Sequence, residues 1–132
     1  NLHDHLMGAV RQRPAEVSAV AIQIGEGDYG GGTPRGDFAR DLGATINAVR
    51  EAGIDAPVFV ARGSRFCGRM RPSQTITAAQ NDVLNSARRI FAGPDLDAVA
   101  GRYDGCHFSG LAARKVASLW VDTLYAELAR QN

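Results

Sequence analysis

Two nearly continuous apolar segments, at residues 17–24 and 57–61, constrain the fold of this chain more than any other feature. They read Val-Ser-Ala-Val-Ala-Ile-Gln-Ile and Pro-Val-Phe-Val-Ala. Short β-branched segments of this kind are typical of parallel strands buried on both faces. The segment between them carries apolar residues at helical spacing, namely Phe38, Leu42, Ile46 and Val49. Strands that alternate with helices predict an α/β fold with a parallel sheet and helices on both faces.

The remaining elements follow from the same periodicities. Helices are predicted over residues 2–13, from Thr33-Pro34 to Gly53, over 75–90, and from an N-cap at Ser109 to Leu128. A short third strand is predicted within 91–99, and loops are predicted over 25–33 and 63–72. In an open parallel sheet, the loops that follow the strands meet at one edge, where ligands bind.

Length and charge limit the class of protein. The 132 residues suffice for one domain with a hydrophobic core, since 45% of them are apolar. A net charge of +1 argues against general nucleic-acid binding, because neutralising phosphates requires a surplus of basic residues. No apolar run is long enough to cross a bilayer, so no membrane span is predicted.

The segment before the last predicted helix, Arg-Tyr-Asp-Gly-Cys-His-Phe-Ser at residues 102–109, is the strongest candidate for chemistry. Gly105 predicts a loop here, in which Asp104 precedes His107 by three residues. A carboxylate at this spacing can accept the Nδ1 proton of the histidine and leave Nε2 to take a proton from a nucleophile. These are two of the three groups of a hydrolase triad. The alternative is a structural pair, with Asp104 in a turn and His107 capping the last helix.

The predicted loop after the first strand contains the pattern G-x-G-x-x-G, at Gly25, Gly27 and Gly30. A dinucleotide site is disfavoured, because the next predicted helix does not open at these glycines. Glu26 and Asp28 would also bring negative charge to the phosphates. The pattern therefore favours an active-site loop, with a flexible glycine loop as the alternative.

The loop over residues 63–72 and its flanks carry the other candidate groups. Cys67 and Cys106 permit one disulfide or remain as two free thiols, and their spacing matches no zinc-binding pattern. We therefore predict no metal site and no cofactor. Four arginines fit either an anionic substrate or a solvated surface loop: Arg62, Arg65, Arg69 and Arg71.

At these residues the chain resembles the SGNH (GDSL-like) hydrolases, specifically their sialate O-acetylesterase-like and carbohydrate acetylesterase branch. Gly25-Glu26-Gly27-Asp28 is similar to the turn of that branch's third block. Residues 102–109 are similar to its last block, an Asp-x-x-His followed by Phe-Ser and a helix that here carries Lys115 and Trp120. The resemblance extends over residues 17–128. Ile24 stands where the family usually has Gln, and Gln23 is adjacent.

The resemblance implies a flavodoxin-like three-layer α/β/α sandwich and a serine esterase that removes acetyl groups from carbohydrate esters. It implies His107 as the general base and Asp104 as the carboxylate that orients it. We expect the substrate and oxyanion pocket to be lined by Gln23, Gly25, Glu26, Asp28, Arg62 and Arg65. An extracytoplasmic location is favoured by the acetylated polysaccharide substrates of the family and by a Cys67–Cys106 disulfide.

The family's nucleophilic serine, in a Gly-x-Ser block on the first strand, would lie upstream of Asn1. We therefore expect residues 1–132 to be the C-terminal part of a single SGNH hydrolase domain, supplying the last three strands of a sheet of order 2-1-3-4-5. A companion chain or an N-terminal segment would pair with the strand at 17–24 and bring the serine. The serines of the chain at 64, 73 and 109 are weak substitutes. The alternatives are a non-catalytic carbohydrate-binding or assembly domain and, third, a nucleotide-binding α/β domain.

Overall fold

Three short parallel strands form one sheet in the computed structural model, which describes residues 2–12 and 16–130. The elements, in chain order, are α1 (Leu2–Arg11), β1 (Val20–Ile22), α2 (Glu26–Gly31), α3 (Arg35–Glu51), β2 (Val58–Arg62), α4 (Gln74–Asp82), a 3₁₀ turn (Ser86–Arg88), β3 (Ile90–Asp95) and α5 (Gly110–Leu128). The predicted α/β class with a parallel sheet is confirmed.

The strand order across the sheet is the chain order, β1-β2-β3. Val20 lies opposite Val58 in the first pair, and Val58 lies opposite Ile90 in the second. Each strand is joined to the next by a helical crossover, which a parallel pair requires. The loops that follow the three strands therefore lie at one edge of the sheet.

One face of the sheet packs against α3 and α4. Ile22, Val58, Val60 and Ile90 meet apolar residues of the two helices, which are Phe38, Leu42, Ile46, Ile76 and Ala79. The predicted apolar stripe of α3 is buried as expected, because its spacing places every member on the sheet side. Burying each such large side chain stabilises the fold by about 1.5–3 kcal/mol.

The opposite face is covered in part by α5. Phe59 and Phe91 project from it with ring centroids 5.8 Å apart, and α5 packs against β3. Further along α5, Trp120 Nε1 donates to Gln23 Oε1 over 3.4 Å. Ala112 is buried in α5, while Leu111 and Tyr125 remain largely exposed.

The N-terminal predictions differ from the structure in three places. The strand expected over 17–24 is paired only over Val20–Ile22, because β2 offers partners from Val58 onward. The loop expected over 25–33 contains the short helix α2. Helix α3 has Pro34 and not Thr33 as its N-cap, because the Thr33 hydroxyl donates to Asp28 Oδ1 over 3.0 Å. The end predicted for α1 at residue 13 lies outside the described residues.

The helix predicted over 75–90 is the largest error. It ends at Asp82, and Ile90 begins β3. The Asn85 side chain accepts a hydrogen bond from Arg88 N and caps the 3₁₀ turn between the two elements. Gly93 and Pro94 lie within β3.

Among the described helices, none is both long enough and apolar enough to cross a membrane.

Candidate active site

The predicted catalytic segment folds into a tight hairpin-like turn between β3 and α5. Ser109 N donates to Gly101 O over 2.7 Å, and Tyr103 N donates to His107 O over 3.0 Å. Gly105 has a φ of 82° at the tip, a conformation that glycine adopts without a steric penalty. The turn therefore brings the side chains of Asp104 and His107 to the same side.

Asp104 and His107 form a hydrogen-bonded pair. His107 Nδ1 lies 2.6 Å from Asp104 Oδ2, while Asp104 Oδ1 accepts from the backbone N–H groups of His107 at 2.7 Å and Cys106 at 3.0 Å. The side chains are 37% exposed for Asp104 and 63% exposed for His107. Within the part of the chain that the structure describes, His107 Nε2 makes no hydrogen bond, and the side chain is largely exposed. The carboxylate is thus fixed by the backbone, and the imidazole is oriented by the carboxylate.

The pKa of Asp104 is lowered from 3.8 to about 2. The largest cause is the hydrogen bond with the His107 side chain, followed by the backbone N–H of His107. Each of these contacts favours the charged carboxylate. Asp104 therefore stays ionised at neutral and mildly acidic pH, and it can stabilise an imidazolium.

The alternative role of His107 as a helix cap does not hold. The N-cap of α5 is Ser109, whose hydroxyl accepts from Ala112 N over 3.4 Å, as the sequence predicts. Tyr103 stacks on the His107 ring at 5.9 Å between centroids. The imidazole is held by Asp104 and Tyr103 at the edge of the turn and is not tied to the helix.

Arg102 stabilises the turn through contacts with the Phe108 ring and the Cys106 carbonyl. Its guanidinium lies 4.0 Å from the centre of the Phe108 ring and donates to Leu96 O over 2.9 Å and to Cys106 O. Burial lowers the pKa of Arg102, and this effect is opposed by the nearby carboxylates of Asp97 and Glu26. Glu26 lies at the start of α2.

A disulfide joins Cys67 to Cys106, with Cα atoms 4.7 Å apart. It links the loop after β2 to the turn that carries His107. Of the two options that the sequence leaves open, the structure has the disulfide.

The loops after β1 and β2 are joined by Gln80, a buried residue of α4. Its Nε2 donates to Ile24 O over 2.7 Å and to Gly63 O over 2.8 Å, and its Oε1 accepts from Gly63 N. Gly25 lies against the same group with a φ of 137°. The sequence gives no sign of this role, because Gln80 looks like a polar position on an amphipathic helix.

The other predicted pocket residues have structural partners. Gln23 accepts from Trp120, and Asp28 accepts from Thr33. Gly25 is the N-cap of α2. A helix thus does begin at the glycine motif, although the sequence predicted none there. Glu26 and Asp28 lie in its first turn, and their negative charge still disfavours a dinucleotide site.

The arginine side chains in and beside the loop after β2 contact neighbouring residues of the protein. Arg62 donates to Asp95 and Asn81, each over 3.3 Å. Arg65 donates from Nε to Asp97 O over 3.1 Å, and the Arg69 guanidinium lies 5.4 Å from the Tyr29 ring centre. The hydrogen bonds of Arg62 and Arg65 within the described chain go to these groups and not to Asp104 or His107.

Asp97 is a buried acid that the sequence reading missed. Its carboxylate accepts from Ser64 Oγ at 2.7 Å, Ser64 N at 2.9 Å and Arg65 N at 3.1 Å. One sequence feature could have identified it: Asp97 lies between the apolar residues Leu96 and Val99, just after a strand. Asp97 holds the start of the loop that carries Cys67.

The serines weighed as nucleophiles all have structural roles. Ser64 is 0% exposed, donates to Asp97 and accepts from Ser73 N over 2.8 Å. Ser73 caps α4 by accepting from Ile76 N, and Ser109 caps α5. Within the described chain, none of these three hydroxyls makes a hydrogen bond with His107.

Comparison with known proteins finds no match: no family model matches the chain, and neither a curated protein nor a solved structure matches it significantly.

Proposed function

We propose that this chain is part of an SGNH-type carbohydrate O-acetylesterase, in which His107 is the general base and Asp104 orients it. One observation carries the proposal: His107 Nδ1 lies 2.6 Å from a carboxylate that two backbone N–H groups fix, and the rest of the His107 side chain is largely exposed. This arrangement lies between the last strand and the last helix of an open parallel sheet, where such enzymes hold catalytic groups.

The reaction follows from the dyad. His107 Nε2 removes the proton of a serine hydroxyl as the serine oxygen attacks the acetyl carbonyl carbon. The imidazolium, stabilised by Asp104, then donates this proton to the sugar oxygen as the ester bond breaks. Water attacks the acetyl-serine with the same base, and acetate leaves. Glu26 and Gly25 are proposed to line the pocket near the carbonyl oxygen.

The nucleophile is proposed to come from a companion chain or an N-terminal segment that adds a strand to β1. Val20 N donates to Pro57 O over 2.9 Å, so the alternation of a parallel strand turns the backbone groups of Ala21 away from β2. An open groove of about 820 Å³ follows β1 and is lined by Leu6 of α1 and by Asp41 and Ala44 of α3. An added strand would form hydrogen bonds with the open side of β1. The end of that strand would then lie beside the loops that follow the other strands.

The substrate class is an acetylated sugar, and the flavodoxin-like layering of the completed domain belongs to the same proposal. The Cys67–Cys106 disulfide supports a location outside the cytoplasm, where such bonds persist.

A serine-directed fluorophosphonate probe tests the proposal on the native preparation, read out by intact mass spectrometry. We expect the label on a companion chain or on a segment preceding residue 1. A label on residues 1–132 would contradict the placement of the nucleophile. The absence of any label would contradict the esterase assignment.

Substitution of the base gives the kinetic test. His107→Ala in the complete enzyme should lower turnover of 4-nitrophenyl acetate and of a peracetylated monosaccharide by roughly 10⁴- to 10⁶-fold. His5→Ala, a change at an exposed histidine of α1, is the matched control and should leave turnover unchanged. Equal activity of the His107 variant and the wild type would refute the role of the dyad.

One observation favours the alternative of a non-catalytic carbohydrate-binding or assembly domain. The serines at 64, 73 and 109 are all engaged in structural hydrogen bonds. Calorimetric binding of an acetylated sugar by a complete assembly that hydrolyses no ester would favour this reading over the esterase.

A further inference from the structure

Four groups that can each bind Zn²⁺ lie together at the His107 turn. They are the sulfur atoms of Cys67 and Cys106, a ring nitrogen of His107 and a carboxylate oxygen of Asp104. All four atoms lie within 4.8 Å of one another. Three come from one turn and the fourth comes from the loop after β2, so the fold and not the sequence spacing assembles the set.

One distance within the cluster already matches that of a tetrahedral zinc site, and the separations of the carboxylate oxygen and of the second sulfur would have to lengthen. Zn–S bonds of about 2.3 Å and Zn–N bonds of about 2.0–2.1 Å place sulfur and nitrogen about 3.6 Å apart on a tetrahedron. Cys106 Sγ lies 3.7 Å from His107 Nδ1. The Asp104 oxygen, now 2.6 Å from Nδ1, would need to move outward by about 0.8 Å. Two sulfurs, one imidazole and one carboxylate form a ligand set that suits Zn²⁺.

We propose that reduction of the Cys67–Cys106 disulfide converts this cluster into a site for one Zn²⁺, bound by both sulfurs, His107 Nδ1 and the Asp104 carboxylate. A dithiol or phosphine reductant supplies the two electrons that break the S–S bond. With a dithiol, the two thiol protons pass to the cysteine sulfurs and the reductant becomes a disulfide; with a phosphine, one water molecule supplies both protons and the oxygen of the phosphine oxide that forms. Zn²⁺ then displaces both thiol protons and binds two thiolates.

The surroundings suit such a site. The turn is fixed independently of the disulfide, because Asp104 Oδ1 holds the backbone of Cys106 and His107. Cys67 lies in an exposed stretch, so its sulfur can move away to the separation of about 3.8 Å that two zinc-bound thiolates require. The Arg102 guanidinium, bonded to the carbonyl of Cys106, opposes the net negative charge of the loaded site.

Zinc at Nδ1 replaces the hydrogen bond between His107 and Asp104. The imidazole bound through Nδ1 then carries its proton on Nε2, so if the proposed esterase function holds, the zinc form has no free base and is inactive. The metal site itself does not depend on that function, and its test needs no substrate.

The test is a Zn²⁺ titration of the full chain against a chromogenic competitor chelator, after reduction by a phosphine under anaerobic conditions. We expect one equivalent to bind to the reduced protein and none to the oxidised protein. Co²⁺ in place of Zn²⁺ should give the thiolate charge-transfer band and the intense visible bands of a tetrahedral site. X-ray absorption of the zinc form should show two sulfur neighbours at about 2.3 Å.

Variants separate this site from unspecific binding. Cys67→Ser and His107→Ala should abolish stoichiometric binding, and Asp104→Asn, which keeps both cysteines, should weaken it at least about tenfold. His5→Ala should bind as the wild type does. Failure of the reduced wild type to bind Zn²⁺ would overturn the proposal. So would binding that survives Cys67→Ser and Asp104→Asn unchanged, since the metal would then lie elsewhere.

Discussion

Gly25 is the residue at which the backbone leaves least freedom for substitution. Its φ of 137° is a conformation that residues with a side chain rarely adopt. A Cβ atom built here would lie 2.6 Å from Gly63 O and 2.8 Å from Gln80 Nε2. The loops after β1 and β2 therefore approach each other through a position that only glycine fits.

We predict that Gly25→Ala destabilises the fold by at least about 3 kcal/mol, from backbone strain and from the collision with Gly63. Gly27→Ala is the matched control, because it lies in α2 with no atom within 4 Å of an added Cβ. The control should change stability by less than about 1 kcal/mol. Urea unfolding followed by circular dichroism measures both, and equal midpoints would show that the loops separate without cost.

Asp104 gives the turn a pH dependence whose direction is fixed by its pKa. The folded-state pKa is about 2, below the ordinary value of 3.8. The carboxylate contacts therefore stabilise the turn fully above about pH 4 and are lost as the pH falls through about 2.

We predict that the amide resonances of Cys106 and His107 titrate together with a midpoint near pH 2, because both N–H groups donate to Asp104. Heteronuclear NMR spectra recorded from neutral pH downward measure the midpoint. Asp104→Asn should remove this titration step. A midpoint close to 4 in the wild type would show that the hydrogen bonds are weaker than described.

At the scale of elements, one helix holds the ends of two strands together. Gln80 of α4 satisfies Ile24 O, Gly63 O and Gly63 N, which follow β1 and β2. Without the amide, these backbone groups would be left without hydrogen-bond partners in the interior.

We predict that Gln80→Leu lowers the free energy of unfolding by about 2–5 kcal/mol, despite its added apolar surface, because unsatisfied buried groups cost about 1–3 kcal/mol each. Gln74→Leu, on the exposed start of the same helix, should change it by no more than about 0.5 kcal/mol. Denaturant unfolding of the two variants compares them directly. A Gln80 variant as stable as the control would mean that water or backbone movement satisfies the freed groups.

The same elements show how far sequence periodicity reaches. The helix bearing Phe38 and Leu42 was predictable, since its apolar spacing is regular and the αL residue Gly53 (φ 81°) follows its end. The end of α4 was not predictable, because Val83 and Ile90 continue the helical spacing by coincidence. In the structure, Ile90 belongs to a strand and pairs with Val58. Helix α2, with five glycines or acids among its six residues, has no apolar stripe to predict it from.

In the candidate site, too, the features that depend on neighbouring residues were predictable and those that depend on distant residues were not. The Asp104–His107 pair was predictable, because both residues lie within one turn and its geometry is local. The roles of Gln80 and Asp97 depend on partners far away in the chain, and no pattern in the sequence specifies those partners. The resemblance to SGNH hydrolases supplies roles for residues but not these supports.

At the scale of the whole molecule, the disulfide is the one covalent connection between loops that follow neighbouring strands. It closes a loop between cysteines separated by 39 residues. A cross-link of this span reduces the entropy of the unfolded chain, worth about 4 kcal/mol in the chain-entropy model.

We predict that the Cys67→Ser/Cys106→Ser double variant, measured with a chelator present, is less stable than the oxidised wild type by about 2–4 kcal/mol. Thermal unfolding of the two proteins measures the difference as a lowered Tm. Reduced wild type with chelator should match the double variant. An unchanged Tm would mean that the unfolded chain is already confined without the bond.

The position of the disulfide also decides what happens when the backbone is cut. Residues 67–71 of the loop after β2 are exposed, the Met70 side chain is 94% accessible, and the bond after Arg69 is one that trypsin-like proteases cleave, whereas Arg71 is protected by the proline that follows it. Cys67 precedes this cleavage site and Cys106 follows it. A chain nicked here would stay one covalent molecule with its His107 turn still anchored, and its two pieces would part only when a reductant reached the bond.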